Sequence, residues 1–429
     1  MKTINYLFYL IIIISFIFTS CTSTRLPRSG IQEIPVDYFG MVHAGESRDE
    51  GEYELLDEMG VVWLLNTFYW RNIEPRQGEF TFARYDPFVQ KAKDNNKKVL
   101  AVLAYETPWI VPEGGKRRYI SDENIPHFLN FVEETVRHYK GEVDAWQVWN
   151  EPNWIFWNGT KREFYKLSRL AAERIRETDP DAYIIGGGFW RTPKRFIRGM
   201  NRAGALKDLD ALSFHPYGVT PRESMKLYDN LTRVLRRVKF NGEVWITEVG
   251  YPTFGRYPNK VSLIDKPSFV IKTITGSAGR GSRALFWYEF SDNYNEGEAP
   301  RYNDSEMFFG LTYPDRSRKK AAWAYELCAR FLPGSTYSPQ LPIRNKIPSK
   351  IVSFCFMDGE EGYNTLILWN DKRRAMNIRI SAESPLTLHD ISSGNNKILS
   401  NDITLSINRN PVFITWQGSS APTLSRVEK

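Results

Sequence analysis

From residue 39 to 332, short runs rich in Val, Ile, Leu, Phe and Trp alternate with longer stretches whose apolar positions recur every three or four residues. A short apolar run between turn signals suits a strand buried on both faces, and the longer recurrence suits a helix with one buried stripe. Eight such pairs follow one another. The strands are predicted at Phe39–His43, Val61–Asn66, Lys98–Ala104, Asp144–Glu151, Ala182–Gly188, Ala211–Tyr217, Glu243–Gly250 and Arg283–Phe290. Phe164, Leu167, Ala171 and Ile175 mark the fourth helix, and Leu227, Leu231, Leu235 and Val238 the sixth. Gly60 and Gly204 suit C-terminal caps. Eight strand–helix units in about 295 residues predict an α/β fold, a (β/α)8 TIM barrel in preference to an open doubly wound sheet. Gly186-Gly187-Gly188 lacks the spacing of a dinucleotide fingerprint and reads as a bend or a site of close packing.

After Pro333-Gly334 the pattern shortens and alternates. Lys350–Met357, Tyr363–Trp369, Ala375–Ser381, Leu386–Asp390, Ile403–Ile407 and Val412–Trp416 are separated by turn signals such as Asp358-Gly359. They predict a small C-terminal antiparallel β-sandwich domain. At the other end, Lys2 precedes an apolar stretch from Tyr6 to Phe18, too short for a spanning helix and followed by small residues. This reads as an export signal. Phe18-Thr19-Ser20-Cys21 resembles the lipobox of bacterial lipoproteins, which implies lipidation of Cys21, a membrane partner through that anchor and a place in the bacterial cell envelope. The expected organisation is therefore signal peptide 1–20, tether 21–35, catalytic barrel 36–333, β domain 334–418 and tail 419–429.

Composition narrows the classes. With 42% hydrophobic residues the chain can build a core, which disfavours disorder. Its 57 basic and 50 acidic residues give a formal charge of +7, but they are interleaved, without the basic stripe of a nucleic-acid binder. Cys328 falls on an apolar helix face and Cys355 in an apolar strand, so both read as core thiols, with a bridge between them left open. The five His give no zinc-ligand spacing, and no metal or organic cofactor is expected.

In such a barrel, chemistry sits where the strands end. Glu151 closes the fourth strand in Trp149-Asn150-Glu151-Pro152-Asn153, and Glu248 the seventh in Trp245-Ile246-Thr247-Glu248-Val249-Gly250. Each follows an apolar run and precedes a constrained turn, and both would face one cavity. Two carboxyl groups across a sugar are what glycosidic cleavage requires. Tyr217 could donate to Glu248, and His215 could support the carboxylates or touch sugar. Trp287 and Trp109 offer flat faces for pyranose rings, with Trp154, Trp157 and Trp190 as weaker candidates. Glu74, Glu289 and Asp292 read as structural acids.

These motifs resemble those of the clan A glycoside hydrolases. The resemblance implies that Glu151 is the acid/base, Glu248 the nucleophile, and Asn150 a hydrogen-bond partner of the sugar 2-hydroxyl. It extends to Trp70–Phe80 and to His215-Pro216-Tyr217; the terminal β domain and the run Glu306–Trp323 look most like family 39. Asn66 stands where many relatives close the second strand with arginine. The implied activity is retaining hydrolysis of glycosidic, β-type bonds in an oligo- or polysaccharide. A non-catalytic carbohydrate-binding lipoprotein and a transglycosylase remain the alternatives on the same fold.

Overall fold

Eight parallel strands close on one another. In the computed structural model, which describes residues 32–46, 51–295, 304–339, 351–372 and 374–427, they are Phe39–Val42, Trp63–Tyr69, Lys98–Ala104, Ala145–Val148, Ile184–Trp190, Ala211–His215, Glu243–Val249 and Ala284–Trp287. The eighth returns to the first through Phe39 opposite Leu285 and Met41 opposite Trp287. The fold is thus the predicted (β/α)8 barrel. Alternation along the strands sends Trp63, Trp245 and Phe286 inward, where their rings pack together. Beside this aromatic plug, Asp37 pairs with Lys98 and Arg283. Burial works against the Asp37 carboxylate, yet the two cations hold its pKa below the usual range. Outward residues such as Phe68 and Trp146 meet Tyr85 and Tyr139 under the helices.

The second strand corrects the sequence reading. It runs past Asn66 to Tyr69, because Thr67, Phe68 and Tyr69 continue the buried pattern and the ladder to the third strand. Asn66 therefore lies within the strand and does not close it. Arg71 follows in the short helix Trp70–Ile73, its guanidinium 4.3 Å from the centre of the Tyr69 ring.

Two antiparallel sheets form the second layer system. The seven-stranded sheet has the order Gln32–Glu33, Thr336–Ser338, Ile351–Met357, Asn364–Asn370, Val412–Trp416, Leu386–His389 and Asn396–Leu399. Asp402–Ile407, Met376–Ser381 and Thr423–Arg426 form the other. Leu366, Leu368, Ile378, Ile380, Ile414 and Leu424 share one apolar cluster. Three segments depart from expectation. Gln32–Glu33, read as tether, pairs with Thr336–Ser338. Thr423–Arg426, read as tail, pairs with Ile378–Ser381 and buries Leu424, so a short alternating run was hidden by its nearness to the chain end. Asn396–Leu399, mostly exposed, carried too little apolar signal to be predicted. Cys328 and Cys355 are buried free thiols in different apolar clusters, which excludes a bridge between them in this fold.

The signal segment, Cys21 and the tether up to residue 31 lie outside the described residues. Among the described residues, no helix is long and apolar enough to cross a membrane.

Candidate active site

Glu151 reaches its position through a turn and not as the last residue of its strand. The fourth strand stops at Val148, and Trp149 and Glu151 take φ values of 69° and 44°. Non-glycine residues avoid this left-handed region, at a cost of roughly 1–3 kcal/mol each. The surroundings impose it. Trp149 N–H donates to Leu103 O, its indole N–H to Phe156 O, and Glu151 N–H to Gly188 O at 2.9 Å. The triple glycine makes the last contact possible: Gly187 and Gly188 have φ of 105° and 55°, and a Cβ on Gly188 would sit 2.7 Å from Gln147 Nε2. The register shifts at the same place, between Gly186 and Phe189.

A second bulge aims Glu248. The register between the seventh and eighth strands slips between Ile246 and Val249, so consecutive side chains, Thr247 and Glu248, both reach His215. His215 Nε2 and Thr247 Oγ1 are 3.2 Å apart, His215 Nδ1 and Glu248 Oε2 3.4 Å. The same His215 Nδ1 is hydrogen-bonded to Glu151 Oε1 at 2.7 Å. Tyr217 O–H donates to Glu248 at 3.1 Å. A carboxylate oxygen of each glutamate and a ring nitrogen of His215 all lie within 4.8 Å of one another. A cation placed among them would have to displace the proton between His215 and Glu151.

Glu151 is 4% exposed, and the Glu248 side chain 15%. Burial drives the Glu151 carboxyl up to about 8, and the charge of Glu306 adds to the effect. Glu248 rises to about 7, again chiefly by burial and by the charge of Glu151, while His215, His43 and the Tyr217 hydroxyl pull it back. His215 is pushed down by burial and is therefore neutral near pH 7. Tyr217, pushed far up by burial and by Glu248, keeps its proton and remains a donor. Near neutrality the buried pair thus holds one proton between two carboxyls.

The structure brings together Glu151, Glu248, His215 and Tyr217. Asn150 stands beside them, with its Oδ1 close to Gly188. Trp287 is not at the surface of this cavity. It is 0% exposed, turned outward toward Tyr251, with its indole nitrogen unpartnered. Period-two alternation explains the miss: Phe286 points into the barrel, so Tyr288 and not Trp287 shares that direction at the mouth. The Tyr288 ring lies near those of Tyr217, His43 and Phe309. Trp109 is held away in the third loop, packed on Trp70 and His127 with its N–H donated to Glu74 O. The exposed aromatic face belongs instead to Trp154, three residues after Glu151, 42% exposed and stacked on Trp190 at 4.7 Å. Trp157 is buried against Trp149 and Phe164.

The other acids have structural partners. Glu74 accepts from the Trp70 indole and Gly78 N–H. Glu289 pairs with His43 at 2.8 Å. Asp292 pairs with the buried Lys319 and accepts from Gly310 N–H, which pins the loop after the eighth strand. His43 and Glu289 also line a cavity of about 800 Å³ with Asn66, Tyr69 and Arg84.

Residues 36–167, from the first strand into the helix after the fourth, match the model of glycosyl hydrolase family 10. An endo-1,4-beta-xylanase A of Phanerodontia chrysosporium is 31% identical over 233 residues, 49% of this chain and 55% of that protein. A beta-xylosidase of Caldicellulosiruptor saccharolyticus is 41% identical over 64 residues, 13% of either chain. The chain spans about half the length, or less, of these curated relatives. Among solved structures, a family 39 glycoside hydrolase from the gut symbiont Bacteroides cellulosilyticus superposes with a TM-score of 0.73 at 21% identity, covering 89% of this chain and 81% of that one. A family 39 beta-xylosidase from Caulobacter crescentus gives 0.66 at 15%, covering 92% and 98%. By fold, then, the chain is a (β/α)8 barrel with an attached β domain, arranged as in these family 39 structures.

Proposed function

We propose that the chain is a retaining glycoside hydrolase that cleaves β-linked oligo- or polysaccharide by double displacement. One observation carries the reading: the carboxyls of Glu151, just past the fourth strand, and Glu248, near the end of the seventh, approach within 4.8 Å of each other. Glu248, ionised and steadied by Tyr217, attacks the anomeric carbon while Glu151 delivers its proton to the leaving oxygen. A water then enters on the vacated side, Glu151 takes its proton, and the ester on Glu248 is broken. Asn150 is placed to hold the sugar 2-hydroxyl, a contact that tightens as positive charge develops at the ring. No step calls on a cofactor.

The xylanases and xylosidases among the relatives make xylan the first polysaccharide to test. Purified protein on xylan and a panel of other β-glycans, with mass spectrometry of products, should release shorter oligosaccharides or monosaccharide from at least one, and Glu248→Ala should abolish this. Tight binding of a glycan that the wild type never cleaves would favour the non-catalytic alternative.

We also propose that residues 1–20 are removed and that a lipid on Cys21 ties the enzyme to the bacterial envelope, with the glycan outside the cytoplasm. The apolar stretch ending in Thr19-Ser20-Cys21 supports this. Cys21→Ser should give unprocessed or soluble protein, whereas a wild-type mature chain starting after residue 21 would contradict it.

A further inference from the structure

Trp154 is exposed at the barrel mouth and yet firmly held. Its backbone N–H donates to Glu151 O at 3.1 Å, so it belongs to the same turn as that glutamate. Asn153, just before it, is bonded twice to the end of the fifth strand. Its Nδ2 donates to Trp190 O at 2.9 Å, and Trp190 N–H donates to its Oδ1 at 3.0 Å. The bond from Glu151 N–H to Gly188 O is a third tie between the same two segments. On this frame the Trp154 and Trp190 rings stack with 14° between their planes. Arg191, its guanidinium 5.8 Å from the centre of the Trp190 ring, anchors the strand end by donating to Tyr217 O and pairing with Glu223.

The stacked pair stands beside the two glutamates. Trp190 is the ladder partner of His215, and His215 reaches both Glu151 and Glu248. Because Glu151 is 4% exposed and Trp154 42%, a ring resting on Trp154 lies outward of one held between the carboxyls. Trp190 takes one face of the Trp154 indole, and core packing does not explain the rest: the residue next to it, Ile155, is exposed as well. Nearby tryptophans use their indole N–H groups inside the protein, Trp109 on Glu74 O, Trp149 on Phe156 O and Trp157 on Thr160 O. Among the described residues, that of Trp154 has no such partner. A flat apolar face with an N–H at its edge suits a pyranose whose hydroxyls are equatorial: the axial C–H groups cover the face and a hydroxyl accepts from the edge.

We propose that Trp154, backed by Trp190, is a sugar-stacking shelf that binds one ring of a glycan chain beyond the ring held by the two glutamates, so that the protein engages chains of several sugars. The inference rests on the glycosidase reading above and adds a subsite and its ligand class, a pyranose with equatorial hydroxyls in a β-linked chain.

The test uses Glu248→Gln, which can hold a chain without cleaving it, titrated in a calorimeter with xylohexaose and with cellohexaose. Adding Trp154→Ala should weaken binding of the better-bound chain roughly tenfold, as expected for a lost aromatic stack. Trp154→Phe, which keeps a flat face, should weaken it less, and the change in tryptophan fluorescence on binding should shrink in both variants. In the active enzyme, Trp154→Ala should raise KM for the same chain more than it lowers kcat. Unaltered affinity in Trp154→Ala, a fluorescence change that survives in Trp154→Phe, or no binding of either chain to Glu248→Gln would overturn the shelf. A chain bound through Trp154 but never cleaved by wild type would keep the shelf and overturn the glycosidase reading; a chain that wild type cleaves and that binds equally without Trp154 would do the reverse.

Discussion

At the scale of single residues, the site is governed by where one proton resides. Burial raises Glu151 to about 8 and Glu248 to about 7, and the proposed reaction needs Glu248 ionised with Glu151 protonated. A plot of kcat/KM against pH should therefore be bell-shaped, rising as the pair loses its first proton and falling as it loses the second, with its maximum near neutrality. A profile flat from pH 5 to 10 would contradict this coupling. The division of roles predicts a further asymmetry. Glu151→Ala should lose several orders of magnitude on substrates with poor leaving groups but far less on activated aryl glycosides, and azide should restore turnover of the latter. Uniform loss without rescue would count against Glu151 as the acid/base. Both glutamates could be read from sequence, because each ends an apolar run and precedes a Pro or Gly turn. Trp287 misled because an aromatic at a strand end says nothing of which way it points; the alternation from Phe286 to Tyr288 did.

At the scale of elements, the barrel strands were legible because both faces are buried, and their ends were not because bulges decide them. The slips at Gly186–Phe189 and Ile246–Val249 depend on neighbouring strands and leave no mark on hydrophobic pattern alone. The loop after the eighth strand is tied down by two buried lysines. Lys319 meets Asp292 and Gly310 O, and Lys266 donates to Phe309 O and Gly310 O at 2.8 Å. Burial pushes both ammonium groups below their ordinary range. Removing one partner of a buried pair strands the other, at about 3–5 kcal/mol. Lys319→Met should accordingly lower the unfolding free energy by about that amount in denaturant titrations and reduce activity through the displaced loop. A change within about 0.5 kcal/mol would show that Asp292 finds another partner. The strands at Gln32–Glu33 and Thr423–Arg426 illustrate the complementary limit: two to four residues near a chain end have too little pattern to predict, and only the edges they join define them.

At the scale of the whole molecule, strand order alone brings together glutamates that stand 97 residues apart, and the closed sheet fixes their separation. That separation is the central claim, because it decides the stereochemistry. A retaining site has carboxyls about 5–5.5 Å apart, whereas an inverting one needs roughly 6.5–9.5 Å to admit a water between Glu and anomeric carbon. Here the nearest oxygens fall within 4.8 Å, too close for that water, and the proposed mechanism accordingly makes Glu248 the attacking group. The most direct measurement is proton NMR of the first sugar released from a substrate of known anomeric configuration, recorded before mutarotation. The account predicts that the product keeps the substrate's configuration and that a fluorosugar inactivator is recovered as an ester on Glu248; an inverted first product would contradict it.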